Sequence, residues 1–399
     1  MADLMDQVHP LKIFDLAKDQ GRFLYACAPM VRYSKAILEL VAILTRPAAV
    51  WPSQLAFRQT VHSYGTDLCW TPMILAKEFN RNEFARDSDF TLATTPQPQP
   101  PTIVQFGANV PVELARASSL VAPFVAGVDL NCGCPQSWAC AETLGAALME
   151  RRELVRDMVV ETRSRLASDG WAVGLERDKN DPKGRSVSVK IRVHKDLRKT
   201  MDFIDTVIGD PNARNIDFLT IHPRTRATPS REPINVESLS ILVERYGDVL
   251  PILVSGDVFT LDTLAYSSPF SPASAGAAGA PNDTSRPAIP KLRGLMSARG
   301  LLANPSLFAG TQRCSWDVVE HFLNRVAQAP LPFKLVTHHL TEMTAPGMGP
   351  DKASLLNKRE RIEMLEKEDM FELIDWLDVK MAEKRGGQGL RRWNEGEFC

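Results

Sequence analysis

Residues 129–140 read DLNCGCPQSWAC and place three thiols, Cys132, Cys134 and Cys140, within nine positions. Three chemistries compete for such a cluster: metal ligation, a disulfide, or acid–base work by one thiol. The spacing C-x-C-x5-C does not match the spacings of zinc sites, so no metal is expected. Seven cysteines in 399 residues, an odd and sparse count, fit a reducing compartment and make a disulfide the weakest of the three. A thiol of ordinary pKa is mostly protonated at pH 7 and can give its proton to a substrate. Cys134 follows the end of an apolar run and precedes a proline, a place where acid chemistry is one reading. Burial as a small hydrophobe is its alternative, as for any lone cysteine.

Other polar residues also end apolar runs. The runs are RFLYACAP (22–29), DLCWTPM (67–73), TIVQFGA (102–108), GVDLNC (127–132), VSVKIRV (187–193), DFLTIH (217–222), PILVSGD (251–257) and GLMSAR (294–299). Near-continuous apolar runs suit parallel strands covered on both faces. Helical text lies between them, clearest at 111–124 after a proline start, at 151–168 with i,i+4 charge pairs, and at 236–247 before a glycine. Eight β-then-α units predict a (β/α)8 TIM barrel. A doubly wound sheet is the alternative, but its glycine-rich first turn is missing.

In such a barrel the chemistry sits at the C-terminal ends of the strands. There the chain supplies Met30, Gln105, Asn131, Cys134, Lys190, Arg192, His222, Arg224, Asp257 and Arg299. Lys190 is the most telling, because a lysine inside an apolar strand needs a partner. His222 taken alone is equally well a satisfied strand-end histidine. The loops after the last two strands commonly bind phosphate. Here Gly256 and Gly300 let backbone amides approach an anion, Arg299 adds a forked cation, and ARGLLANPSLF opens a helix.

The chain divides into an N-terminal extension (1–19), the barrel (20–312) and a helical C-terminal domain with a frayed tail (313–399). Two stretches interrupt the barrel: an insertion at 36–54, and a flexible Ser/Ala/Pro/Gly-rich loop at 267–290. His338 and His339 are expected on a solvated helix face. A net charge of −1 argues against a cationic nucleic-acid binder, although a local basic patch is compatible with it. No run is long enough for a membrane span and no secretory leader is seen, so an intracellular site, cytoplasmic or nuclear, is expected.

In order along the chain, CAPMVRYSK, DLCWTPMI, IVQFGAN, GVDLNCGCPQ, VKIRVH, LTIHPRT, SGD and ARGLLANP resemble the tRNA-dihydrouridine synthases. The resemblance is strongest to the eukaryotic subgroup acting at D-loop positions 20a and 20b. It spans residues 20–310 and, more loosely, the helical tail. It implies an FMN barrel followed by a helical domain that holds tRNA, with NADPH or NADH as electron donor. FMN would lie on Ala28, Pro29 and Met30, with Gln105, Lys190 and His222 around its ring and ribityl chain. Its phosphate would meet the loops carrying Ser255, Gly256, Asp257, Ala298, Arg299 and Gly300. Ser255 stands where the family usually has asparagine. Asn131 and Arg224 would hold the target uracil and Cys134 would be the acid.

The chemistry implied is reduction of the uracil 5,6 double bond, with a flavin hydride to C6 and a proton to C5 on a base drawn out of its stack. A lysine beside the reduced ring would stabilise its charge. Lys358, Arg359 and Arg361 become candidates for phosphate contacts. Two alternatives remain: an FMN barrel oxidoreductase of a small molecule, and a non-catalytic tRNA-binding relative. A monomer is the default expectation. The insertion 36–54 splits VRYSK from LAFRQTV and is read as a lineage-specific loop or a retained intron.

Overall fold

The computed structural model describes residues 7–30, 54–81, 100–267 and 287–390. The insertion read at 36–54, apart from Gln54, lies outside the described residues. So do positions 268–286 of the stretch read as a flexible loop, and the last nine residues of the tail.

All eight predicted runs are strands. They are β1 (Leu24–Cys27), β2 (Leu68–Trp70), β4 (Thr102–Gly107), β5 (Gly127–Cys132), β6 (Ser186–Ile191), β7 (Leu219–Ile221), β8 (Ile252–Ser255) and β9 (Gly294–Ser297). A two-residue strand, β3 (Ile74–Leu75), continues the β2 row against β4. Every pairing is parallel. β1 pairs with both β2 and β9, and β2 pairs with β4, so the row closes into an eight-position barrel.

Alternation along the strands sorts the side chains. Val104, Phe106, Val128, Leu130, Val187, Val189 and Ile191 join the main core. Leu24, Ala26, Leu68, Trp70, Ile103, Phe218, Leu253 and Met296 form a second cluster. Helix α1 (Pro10–Asp19) adds Leu11, Ile13, Phe14 and Ala17 to that cluster, and the rings of Phe14 and Phe218 lie 5.6 Å apart. The segment read as an extension is thus half a helix packed on the barrel strands. Further along the same face as this second cluster, and opposite the main core, lies a polar set. Register sets Gln105 beside Asp129 and Asp129 beside Ser188, with Asn131 beside Lys190 and Lys190 beside Thr220.

The helices that follow are α2 (Leu55–Ser63), α3 (Ala76–Arg81), α4 (Pro111–Val121), α5 (Ser137–Ala141), α6 (Arg152–Ser168), α7 (Leu197–Ile208), α8 (Val236–Tyr246) and α9 (Arg299–Ala303). Gly247 bonds its N–H to Val243 O at the end of α8, yet it remains right-handed at φ −65°. The C-terminal helices are α10 (Trp316–Gln328), α11 (Phe333–Thr344), α12 (Lys358–Leu365) and α13 (Met370–Lys384). The helical text after 353 is broken because Asn357 and Glu360 form a reciprocal cap for α12, and Asp369 caps α13.

The expectation for the paired histidines is corrected here. His339 is 1% exposed, stacked 4.5 Å from the Phe57 ring of α2 and 5.3 Å from the Phe322 ring of α10. An imidazole is flat and mostly apolar, so it fills an aromatic slot between the barrel and the C-terminal helices.

Candidate functional site

The site builds up from the end of β5. Asn131 Oδ1 accepts hydrogen bonds from the N–H groups of Gly133 (2.9 Å) and Cys134 (2.8 Å). Arg192 donates from Nε to Gly133 O at 2.7 Å. Cys134 O accepts from Ala146 N at 2.8 Å and from the Cys140 thiol at 3.7 Å. Gly145, at φ +59°, closes against this turn, and a Cβ there would come 2.5 Å from Cys134 O. The turn is therefore gripped from several directions, and Cys134 is partly exposed on it. Burial pushes its thiol pKa up. A hydrogen bond from the Gln136 backbone and the charges of Arg192 and Lys190 offset part of that rise, while Cys140 adds to it. The group is a protonated thiol at neutral pH. Cys132 is fully buried in the outer core, and Cys140 lies in the short α5.

Beneath the turn runs a chain of polar side chains. Asn131 donates from Nδ2 to Gln105 Oε1 (2.6 Å), Gln105 donates from Nε2 to Asp129 Oδ2 (2.7 Å), and Ser188 donates to Asp129 Oδ1 (2.7 Å). Asp129 is 1% exposed. Burial raises its pKa to about 6, against the pull of Gln105, Ser188 and Lys190, so it is mostly ionised at pH 7. Lys190 is only partly buried by surface area. Desolvation nonetheless lowers its pKa to about 8, with Asp129 opposing and Arg192 reinforcing the shift.

A second cluster surrounds the ends of β7 and β8. Arg224 donates to both carboxylate oxygens of Asp257 (2.6 and 2.8 Å), to Glu232 O and to His222 Nε2 (3.0 Å). Because a guanidinium only donates, His222 Nε2 is the acceptor and Nδ1 carries the proton. His222 stays neutral. Burial and then the cations Lys190, Arg192, Arg224 and Arg299 depress it to about 2. Asp257 also accepts from Ile234 N at 2.8 Å. Gly256 and Asp257 both have positive φ, +108° and +56°. A Cβ on Gly256 would sit 2.9 Å from His222 Cδ2, so glycine allows the backbone to lie against the imidazole.

The remaining expected residues complete the rim. Ala28 continues the ladder by bonding its N–H to Ser297 O at 2.9 Å, with Pro29 and Met30 beyond it. Ser255 and Gly300 are buried and Ala298 is partly buried. Arg299 is exposed, donates to Ser230 O at 3.2 Å and lies 5.3 Å from the Phe259 ring. Helix α9 has only five residues, so the helix-dipole part of the anion argument is small and the Arg299 charge carries more of it.

Strand geometry brings Asn131, Cys134, Gln105 and Lys190 together, and His222, Arg224, Gly256 and Asp257 together. Two of these side chains are more committed than their types suggest. The Asn131 carbonyl is used by the turn, and the Arg224 fork by Asp257, Glu232 and His222. Asp129 was not singled out in the sequence, although its alternation with Asn131 on one strand face was a usable signal. The donor set suits a flavin phosphate cofactor. It combines a lysine, a neutral imidazole with a fixed donor nitrogen, a left-handed two-residue turn and an exposed arginine. Lys358 and Arg359 are exposed, while Arg361 is half-buried and donates to Leu356 O. Among the described residues no group of His, Cys, Asp and Glu gathers as a metal site requires. None of their helices is long and apolar enough to cross a membrane.

Comparison with known proteins adds an independent line. The model of the family described as dihydrouridine synthase matches residues 50–279. A human tRNA-dihydrouridine(20a/20b) synthase-like protein is 35% identical over 338 residues, covering 84% of each chain. The tRNA-dihydrouridine(20a/20b) synthase of Schizosaccharomyces pombe is 34% identical over 376 residues, covering 94% of this chain and 93% of the relative. Its counterpart from Saccharomyces cerevisiae is 32% identical over 388 residues, covering 96% and 88%. The names of all three carry NAD(P)+.

Proposed function

The chain belongs to the dihydrouridine synthase family, and we propose that it reduces a D-loop uridine of tRNA to 5,6-dihydrouridine with FMN and NADPH or NADH. When bound, FMN supplies the hydride for uracil C6, and every other task falls to the protein. Cys134 gives its proton to C5. Asn131 sets the turn that carries the thiol and offers its remaining N–H to the base. Lys190 and the Nδ1–H of His222 face the cofactor and balance negative charge on its reduced ring. Ala28, Pro29, Met30 and Gln105 border the ring. The turn at Ser255–Asp257 and the segment Ala298–Gly300 receive the phosphate, with Arg299 supplying charge. Arg224 holds His222 in its donating tautomer and stands beside the uracil site. The helices from residue 313 onward hold the tRNA, with Lys358, Arg359 and Arg361 as phosphate contacts.

One observation carries this reading. A protonated thiol and a neutral imidazole share one barrel mouth with Lys190, Arg192, Arg224 and Arg299. That arrangement suits an anionic cofactor and a substrate that must be protonated. The test is to purify the protein, record its flavin absorbance and measure dihydrouridine in tRNA supplied with NADPH. The expected result is a yellow protein whose Cys134→Ala variant keeps its flavin and loses activity by about 100-fold or more. A colourless protein that binds tRNA without reducing it would overturn the reading. So would a yellow one that reduces only small enones.

A further inference from the structure

Asp129 has no part in the reaction just described, yet it is an ionised carboxylate inside the barrel wall. Burying such a charge costs several kcal/mol before compensation. Leu253, Phe218 and Ile103 show that apolar side chains fill other positions of the barrel strands. The opposing charge of Lys190 is one reason for a carboxylate here. Its hydrogen bonds supply a second.

An ionised carboxylate only accepts, so the Gln105 amide must turn Nε2 toward Asp129. Its Oε1 then faces Asn131, which must answer with Nδ2. Only then does Asn131 Oδ1 point at the N–H groups of Gly133 and Cys134. Each amide could otherwise flip end for end with little change in shape. We propose that Asp129 is a positioning residue whose carboxylate, acting through Gln105 and Asn131, fixes the orientation of the amide that grips the Cys134 turn and aims its thiol into the barrel mouth. Ser188, on the other oxygen, keeps the carboxylate in place. The proposal rests on the reading of Cys134 as the proton donor.

The test uses the full-length flavin-loaded protein and reads the thiol directly, as the rate at which iodoacetamide alkylates Cys134, followed by peptide mass spectrometry. Asp129→Ala and Gln105→Met should each change that rate by about fivefold or more, the equivalent of one lost hydrogen bond. The double variant should go no further than either single one, because both cut the same chain. Asp129→Asn keeps an oxygen for Gln105 and can donate to Ser188, whose hydroxyl turns. It should alkylate within about twofold of wild type, whereas Asp129→Leu, which fills the volume but accepts no hydrogen bond, should alkylate like Asp129→Ala, a pattern that simple loss of packing does not predict. In parallel, Asp129→Ala should lower kcat for dihydrouridine formation without raising KM for tRNA. Wild-type alkylation in Asp129→Ala, additive effects in the double variant, or an Asp129→Asn rate like that of Asp129→Ala would each overturn the proposal. Should Asp129→Ala fail to fold, Gln105→Met compared with Asp129→Asn decides it alone. The expected alkylation pattern in a protein that makes no dihydrouridine would sink the functional reading and leave the positioning role standing.

Discussion

At the scale of residues, the account turns on which groups carry protons at neutral pH. Lys190 shares its surroundings with Asp129 on β5, Arg192 just beyond the end of its own strand, and Cys134 and His222 at the mouth. Its pKa of about 8 makes it a cation at pH 7 and a neutral amine above pH 9. Activity should therefore fall on the alkaline side, with a midpoint at or above about 8 because an anionic cofactor beside the ammonium raises it. Lys190→Met should be slower at all pH values and lose that limb, as a pH profile of kcat will show. Arg224 is paired with Asp257 at side-chain exposures of 2% and 18%. Removing one member of a buried pair leaves the other uncompensated, so Arg224→Leu should cost about 3 kcal/mol or more in denaturant unfolding. The residue types at the strand ends were legible in the sequence. How their hydrogen bonds were already spent was not. Asn131 and Arg224 read as free recognition groups, but strand register and the Gly256–Asp257 turn, which no residue type reveals, commit them to neighbours.

Among the elements, strands declared themselves because parallel strands are apolar on both faces and end at glycine, proline or polar residues. β3 went unread because two residues carry no period. α1 was taken for an extension although its buried positions Leu11, Phe14 and Ala17 have helical spacing, because nothing in the sequence says that the barrel strands need a cover there. The seam between barrel and C-terminal helices holds His339, facing Phe57 of α2, Phe322 of α10 and His338 of its own helix. Burial lowers its pKa to about 3. The unfolded chain takes up a proton below about pH 6.5 and the native state does not, so stability falls as pH drops from 6.5 toward 3. This one group accounts for up to about 2 kcal/mol by pH 5. His339→Leu should remove that share of the loss, seen as a smaller shift of the urea midpoint between pH 7.5 and pH 5.

On the scale of the whole molecule, a net charge of −1 means that RNA must be held by local patches rather than by overall attraction. The C-terminal helices rest on α2 through Phe57 and follow directly on α9, so they stand next to the proposed phosphate end of the mouth. On the functional reading, the exposed Lys358 and Arg359 of α12 are phosphate contacts for the tRNA. Reversing both to glutamate should raise KM for tRNA by about tenfold and flatten its dependence on salt. The rate of flavin reduction by NADPH should not change.

The claim that Cys134 protonates the base is tested most directly by stopped-flow. Protein with its flavin already reduced is mixed anaerobically with tRNA, and flavin reoxidation is followed. Wild type should reoxidise in a fast phase that Cys134→Ala slows by about 100-fold or more, with reduction by NADPH equal in the two proteins. Equal reoxidation rates in wild type and Cys134→Ala would contradict the account.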